Sequence, residues 1–94
     1  MKNKETEEVL AKLFGSTSRA RILTLLFKNI GRLFYQREIM YETGLSLQAV
    51  QRELSNLVDL EIIKKRETNA KVYYEPNTSS LFFKPFKEIC RAVW

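Results

Sequence analysis

A sharp chain reversal between two short amphipathic segments, at Gly44-Leu45-Ser46, constrains the fold more than any other feature of the sequence. Glycine readily adopts the left-handed conformation that ends a helix, and serine is a favoured N-cap of the helix that follows. After the turn, apolar side chains recur at helical spacing, beginning with Val50 and Leu54. The pattern predicts two helices, at about 36–43 and 46–60, that cross at this corner.

The rest of the chain alternates between a helical and an extended pattern of apolar residues. Apolar side chains three and four positions apart indicate helices, and short β-branched or aromatic runs beside a turn indicate strands. The further helices are predicted at about 4–14, 17–28 and 83–94, and the strands at about 33–35, 62–67 and 71–75, with a turn at Thr68-Asn69-Ala70. The predicted fold class is therefore α+β, mainly α, with a hairpin directly after the two-helix unit.

The length and charge of the chain limit its class. With 94 residues it fits one domain, 1–94, and its formal charge of +5 favours polyanionic partners or an anionic surface. The segment Met1–Glu8 is polar, so it does not resemble a secretion signal, and no apolar run reaches membrane-spanning length. We expect a cytoplasmic protein without a membrane partner.

The outward face of the 46–60 helix has an unusual composition. Because Val50 and Leu54 point inward, the opposite face presents amides, hydroxyls and a guanidinium, where an ordinary solvated face mixes lysine with glutamate. Glutamine pairs well with adenine and arginine with guanine in the major groove of DNA. The residues predicted to bind DNA from this helix are Ser46, Gln48, Gln51, Arg52 and Ser55.

The same stretch resembles the helix-turn-helix of winged-helix transcription regulators, especially the arsenic-repressor-like (ArsR-like) superfamily. The resemblance covers about residues 13–76 and rests on Glu38-Ile39, Gly44-Leu45-Ser46, the run Val50, Arg52 and Leu54, the upstream Phe14–Leu23 and the downstream Tyr73-Tyr74. It implies a winged helix-turn-helix with a short strand, a two-stranded wing and terminal helices. It also implies a homodimeric transcriptional regulator that binds double-stranded DNA in a sequence-specific way. A simple helix–helix turn in a small bundle is the alternative.

The sequence departs from the motif of this superfamily at two positions. Met40 stands where alanine is usual, which predicts a looser crossing of the two helices. Glu61 stands where glycine commonly ends the second helix, which leaves the end of that helix open.

Several basic residues are candidates for contacts with the phosphate backbone. The hairpin carries Lys64, Lys65, Arg66 and Lys71, but strand alternation sends neighbours to opposite faces, so they cannot all touch one surface. Arg19 and Arg37 are secondary candidates, because each lies near the start of a helix. A solvated hairpin balanced by nearby glutamates, and ordinary surface arginines, are the alternatives.

Apolar residues crowd both ends of the chain. They either pack within one molecule or form a two-fold interface, as the resemblance implies. The predicted interface residues are Val9, Leu13, Phe82, Phe83, Phe86, Ile89 and Trp94.

The single cysteine, Cys90, and the absence of histidine argue against a metal site or a catalytic centre. We predict no metal, no cofactor and no enzymatic activity, with Cys90 packed in the terminal helix. The second hypothesis is a winged-helix adaptor for a protein partner, for example one accompanying a nucleotidyltransferase. RNA binding is less suited to a helix that presents glutamines, because the A-form major groove is deep and narrow.

Overall fold

The computed structural model describes the backbone of residues 3–93 and the side chains of residues 8–92. This part of the chain forms five helices and three strands. The helices are α1 (Asn3–Phe14), α2 (Thr17–Lys28), α3 (Gln36–Thr43), α4 (Leu47–Asp59) and α5 (Phe83–Val93). The strands are β1 (Phe34–Tyr35), β2 (Ile63–Thr68) and β3 (Lys71–Pro76). The predicted order of elements is confirmed, and their ends agree within about two residues.

Helix α2 lies at the centre of the fold. Ser16 caps its first turn by accepting a hydrogen bond from the backbone N–H of Arg19 at 3.0 Å. Its buried residues include Ile22, Leu23 and Leu26, and helices α1, α3, α4 and α5 all pack against it. The broadly apolar second half of α2 is therefore explained by burial on several sides, as its sequence predicts.

The corner between α3 and α4 has the predicted geometry. Gly44 takes a left-handed backbone conformation, with φ 71°, and its N–H donates to the carbonyl of Met40. Ser46 then caps α4 by accepting from the N–H of Ala49 at 3.2 Å. Leu45 packs against the core from within the turn. These local contacts set the direction in which α4 leaves the corner.

The strands form one antiparallel sheet in the order β1-β3-β2. Hairpin β2–β3 closes through Asn69 and Ala70, which both have positive φ, 48° and 65°. Two consecutive left-handed residues are the mark of a type I′ turn, whose twist matches that of the strands. The position of the turn predicted at Thr68-Asn69-Ala70 is thus confirmed, but the loop itself consists of only Asn69 and Ala70, because Thr68 pairs with Lys71.

The link from α4 to the hairpin is short and well bonded. Helix α4 ends at a Schellman motif: the N–H of Glu61 donates to the carbonyl of Val58, and the N–H of Ile62 donates to the carbonyl of Leu57. Glu61 has φ 60°, the left-handed conformation that this motif requires. The motif therefore forms with a glutamate at the position that glycine commonly occupies, and α4 ends where it is predicted to.

Helix α5 folds back onto α1 and α2 of the same chain. The ring of Phe86 stacks on Phe14 with 5.5 Å between centroids, and Phe83 lies 6.1 Å from Phe27. Cys90 is fully buried in this contact. In the described part of the chain, every helix is too short or too polar to cross a membrane.

Candidate nucleic-acid interface

The outward face of α4 displays the predicted set of polar side chains. Val50, Leu54 and Leu57 are buried on the inner side of the helix. All five candidates are exposed on the other side: Ser46, Gln48, Gln51, Arg52 and Ser55. The side chain of Arg52 is 61% exposed, so its guanidinium is accessible to a ligand. The face offers hydrogen-bond donors and acceptors at helical spacing, which suits the edges of stacked bases.

Beside this face lies a buried carboxylate that the sequence did not reveal. Glu53 is only 4% exposed, and its Oε1 accepts a hydrogen bond from Nε of Arg19 in α2 at 2.7 Å. Its Oε2 lies 3.7 Å from Nε of Arg52. The one signal in the sequence is spacing: Glu53 stands three residues after Val50 and four before Leu57, at the edge of the apolar stripe. Arg19, predicted as a phosphate contact, thus has a partner inside the protein.

The cations of the hairpin are divided between two faces of the sheet, as strand alternation requires. Lys65 is opposite Tyr74 and lies on the face that packs on the helices, where it lines a cleft with Gln51 and Ser55 of α4. The other face carries Lys64, Arg66 and Lys71, with Glu75 beside them. Arg66 is paired with this Glu75 at 3.0 Å, and Lys65 lies 3.8 Å from Glu67. Lys65 is therefore the hairpin cation that shares a cleft with the outward face of α4.

A second cationic group lies where β1 meets α3. Arg37 is exposed in the first turn of α3 and lines a surface depression with Tyr35 and Lys71. The Tyr35 and Tyr73 hydroxyls are 3.0 Å apart, and Nζ of Lys71 donates to the Tyr35 hydroxyl at 3.4 Å. The structure brings Arg37 and Lys71 together, although they are 34 positions apart in the sequence.

The two phenols of this group are electrostatically unequal. The hydrogen bond from Tyr73, and then that from Lys71, lowers the pKa of Tyr35 below its ordinary value. The same bond to Tyr35, followed by desolvation, raises the pKa of Tyr73. Tyr35 is therefore the acceptor in the ionised pair, and Tyr73 retains its proton longer.

The apolar residues predicted for a dimer interface fall into two groups. Phe83, Phe86 and Ile89 pack against the core of their own chain, which is the arrangement within one molecule that the sequence left as an alternative. The second group is exposed: Val9 by 37%, Leu13 by 60% and Phe82 by 46%. Trp94 lies outside the described residues.

The ligating and reactive side chains are few. Across the described residues, the structure contains no group of three or more histidine, cysteine, aspartate or glutamate side chains that could hold a metal ion. Burial raises the pKa of the Cys90 thiol to about 11, so its reactive thiolate is strongly disfavoured. The packing role predicted for Cys90 is confirmed.

Comparison with known proteins supports the fold. No family model matches the chain, and no curated protein sequence matches it. Two of the solved structures that are similar in fold each have a TM-score of 0.67. One is a crystal structure described as the predicted DNA-binding transcriptional regulator from E. coli, 21% identical over 90% of this chain and 82% of that one. The other is reduced HlyU from Vibrio cholerae N16961, 22% identical over 98% of this chain and 92% of that one. With the element order, this likeness shows a mainly helical, winged helix-turn-helix fold, as predicted.

Proposed function

We propose that this protein is a transcriptional regulator that binds double-stranded DNA in a sequence-specific way, with α4 in the major groove. The observation that carries the proposal is the exposed face of α4, where Gln48, Gln51 and Arg52 lie together on one side of a helix anchored by its other side. A B-form major groove admits one α-helix, and amide and guanidinium groups read its base edges by paired hydrogen bonds. One solved structure similar in fold is described as a predicted DNA-binding transcriptional regulator.

The hairpin acts as the wing of this fold and contacts the phosphate backbone. Lys65 is placed for this role, because it flanks the same cleft as Gln51 and Ser55. Lys64, Arg66, Lys71 and Arg37 form a second basic surface that reaches phosphates farther along the duplex. Such contacts supply affinity that is independent of sequence and falls with salt. Arg19 is the weakest candidate, since Glu53 already engages it.

The active form is a homodimer. Val9 and Leu13 of α1 remain exposed, as does Phe82 directly before α5, and helices α1 and α5 contact each other. A second copy of the chain covers them, and two α4 helices then read two half-sites. The protein carries no catalytic activity in this proposal and needs neither metal nor cofactor.

The test is fluorescence anisotropy with a mixed-sequence duplex and with a duplex selected from a random library. Wild-type protein is expected to bind both, with affinity falling steeply between about 50 and about 200 mM salt. On the selected duplex, Gln48→Ala and Arg52→Ala are each expected to weaken binding on the order of tenfold, because each removes contacts to a base edge. Arg91→Ala is the matched control, since Arg91 is an exposed arginine of α5.

Loss of a phosphate contact has a different signature from loss of a base contact. Lys65→Ala is expected to weaken binding equally on both duplexes and to reduce the slope of log affinity against log salt by about one. If Lys65→Ala and Arg52→Ala both bind like wild type, the assigned surface is wrong. A protein that binds neither duplex at low salt, yet forms a stable complex with a protein partner, is the adaptor instead.

A further inference from the structure

We propose that Arg19 is a positioning residue for DNA reading: by engaging the buried carboxylate of Glu53, it leaves the guanidinium of Arg52 available to a base. The inference rests on the proposed function, because it concerns how the reading arginine is held. It also replaces the phosphate contact that the sequence suggests for Arg19 with an action through another residue.

The first step of the argument is the burial of Glu53. Its side chain is 5% exposed, and an ionised carboxylate in such a place needs a cation or several hydrogen bonds. Arg19 supplies the cation and one hydrogen bond, because its Nε donates to Oε1 at 2.7 Å, a length typical of a charge-assisted bond. The pair joins α2 to α4 across 34 positions of sequence.

The second step is the position of the competing arginine. Nε of Arg52 lies 3.7 Å from Oε2 of the same carboxylate, within the range of an ion pair but beyond a good hydrogen bond. The Arg52 side chain is 61% exposed, whereas that of Arg19 is 28% exposed. Glu53 therefore interacts with two arginines unequally: Arg19 is bound to it, and Arg52 lies beside it with its guanidinium largely in solvent.

The third step is the consequence of removing the first partner. Without Arg19, the nearest guanidinium to the carboxylate of Glu53 is that of Arg52, and a buried charge attracts it strongly. A guanidinium that turns to bind Glu53 uses the N–H groups that guanine O6 and N7 require. The Arg52 side chain would then turn from the DNA-reading face toward the interior, although Arg52 itself is not substituted.

The experiment separates this role from a direct phosphate contact. The probe is the selected duplex with a guanine whose replacement by adenine weakens wild-type but not Arg52→Ala binding. The first readout is the dissociation constant for the adenine duplex divided by that for the guanine duplex. The second is the slope of log affinity against log salt concentration. Arg19→Gln is expected to lower the ratio on the order of tenfold, as Arg52→Ala does. Adding Glu53→Gln removes the competing charge, so Arg19→Gln/Glu53→Gln is expected to restore the wild-type ratio and slope. Arg91→Gln controls for the loss of one arginine.

Each outcome decides the inference. If the double variant keeps the reduced affinity and a salt slope smaller by about one, Arg19 touches a phosphate itself and the inference is overturned, while the proposed function survives. If no guanine depends on Arg52, the inference fails together with the base contact proposed for Arg52, whereas the proposed function fails only when the wild-type protein binds neither duplex. If Arg19→Gln does not fold because Glu53 is left poorly neutralised, the double variant, which buries no charge, carries the test alone. A wild-type ratio and slope in it support the inference, and a loss of either overturns it.

Discussion

At the scale of single residues, the hydroxyl pair of Tyr35 and Tyr73 shows how one hydrogen bond changes the chemistry of two side chains. The two rings lie 4.6 Å apart, and Lys71 sits 5.6 Å above the ring of Tyr35. One hydrogen bond therefore makes two identical phenols unequal, since it lowers the pKa of Tyr35 and raises that of Tyr73. The hydrogen bond between the two hydroxyls thus joins β1 to β3 through side chains, in addition to their backbone pairing.

This inequality is measurable by following phenolate absorbance against pH. In Tyr73→Phe, Tyr35 loses its principal donor, so its pKa is expected to rise back toward the ordinary value while the donation from Lys71 persists. In Tyr35→Phe, the pKa of Tyr73 is expected to fall for the converse reason. Tyr41→Phe is the control, because Tyr41 is 86% exposed on α3 and removes one phenol from the signal without touching the pair. Titration curves of Tyr73→Phe and Tyr41→Phe that superimpose would contradict the assignment.

At the scale of elements, the end of α4 is the place where the residue type and the backbone conformation agree least. Glu61 occupies the left-handed position of a Schellman motif, where a side chain with Cβ is disfavoured by about 1–2 kcal/mol relative to glycine. The motif nevertheless forms, because both of its hydrogen bonds are made and both Leu57 and Ile62 are buried beside it. Packing on either side of the turn thus overrides the local preference of one residue.

Glu61→Gly is expected to increase the free energy of unfolding by about 1 kcal/mol, since relief of the left-handed strain exceeds the added entropy of the unfolded chain. Urea denaturation followed by circular dichroism measures it. Glu61→Ala is the matched control: it removes the carboxylate but keeps Cβ, so its stability should stay near that of wild type. A gain of equal size in both variants would assign the effect to the charge of Glu61 and not to its backbone.

Sequence reasoning succeeded where local chemistry decides the structure and failed where distant residues meet. Gly44 favours the left-handed conformation of the turn and Ser46 favours the N-cap position, so the helix-turn-helix corner follows from these two residues alone. The partnership of Arg19 with Glu53 was not predictable, because it depends on how α2 packs against α4. The same holds for the approach of Lys71 to Tyr35, which requires the register of β1 on β3.

At the scale of the whole molecule, several apolar side chains near the two ends of the chain remain exposed. Phe82 makes an edge-on contact with Phe86, which in turn stacks on Phe14, and Leu13 adjoins Phe14 in α1. Exposed apolar residues on adjacent elements are typical of an interface with another protein. The proposed homodimer is therefore centred on α1 and the start of α5.

Leu13→Glu is expected to shift the protein from dimer to monomer at a given concentration. The interface would then bury one carboxylate from each copy, which costs desolvation free energy and brings two like charges near the two-fold axis. Sedimentation velocity measures the change, and circular dichroism checks that the fold persists. Tyr41→Glu is the control, since Tyr41 is exposed on α3, which packs against α2, α4 and the sheet. Equal sedimentation of wild type and Leu13→Glu, whether both are dimeric or both monomeric, would refute an interface centred on Leu13.

The short link between α4 and the hairpin has a mechanical meaning for the proposed complex with DNA. Only Leu60, Glu61 and Ile62 connect the two elements, and Asn77, which follows β3, donates to the carbonyls of both Glu61 and Ile62. These bonds fix the helix and the hairpin to each other at their junction, so the distance between α4 and the tip of the hairpin is set when the protein folds. A fixed distance between α4 and the hairpin makes binding depend on groove width. Duplexes whose grooves match this distance would be bound without deformation, and others would have to bend or twist to fit. Part of the selectivity would then lie in base pairs that no side chain touches.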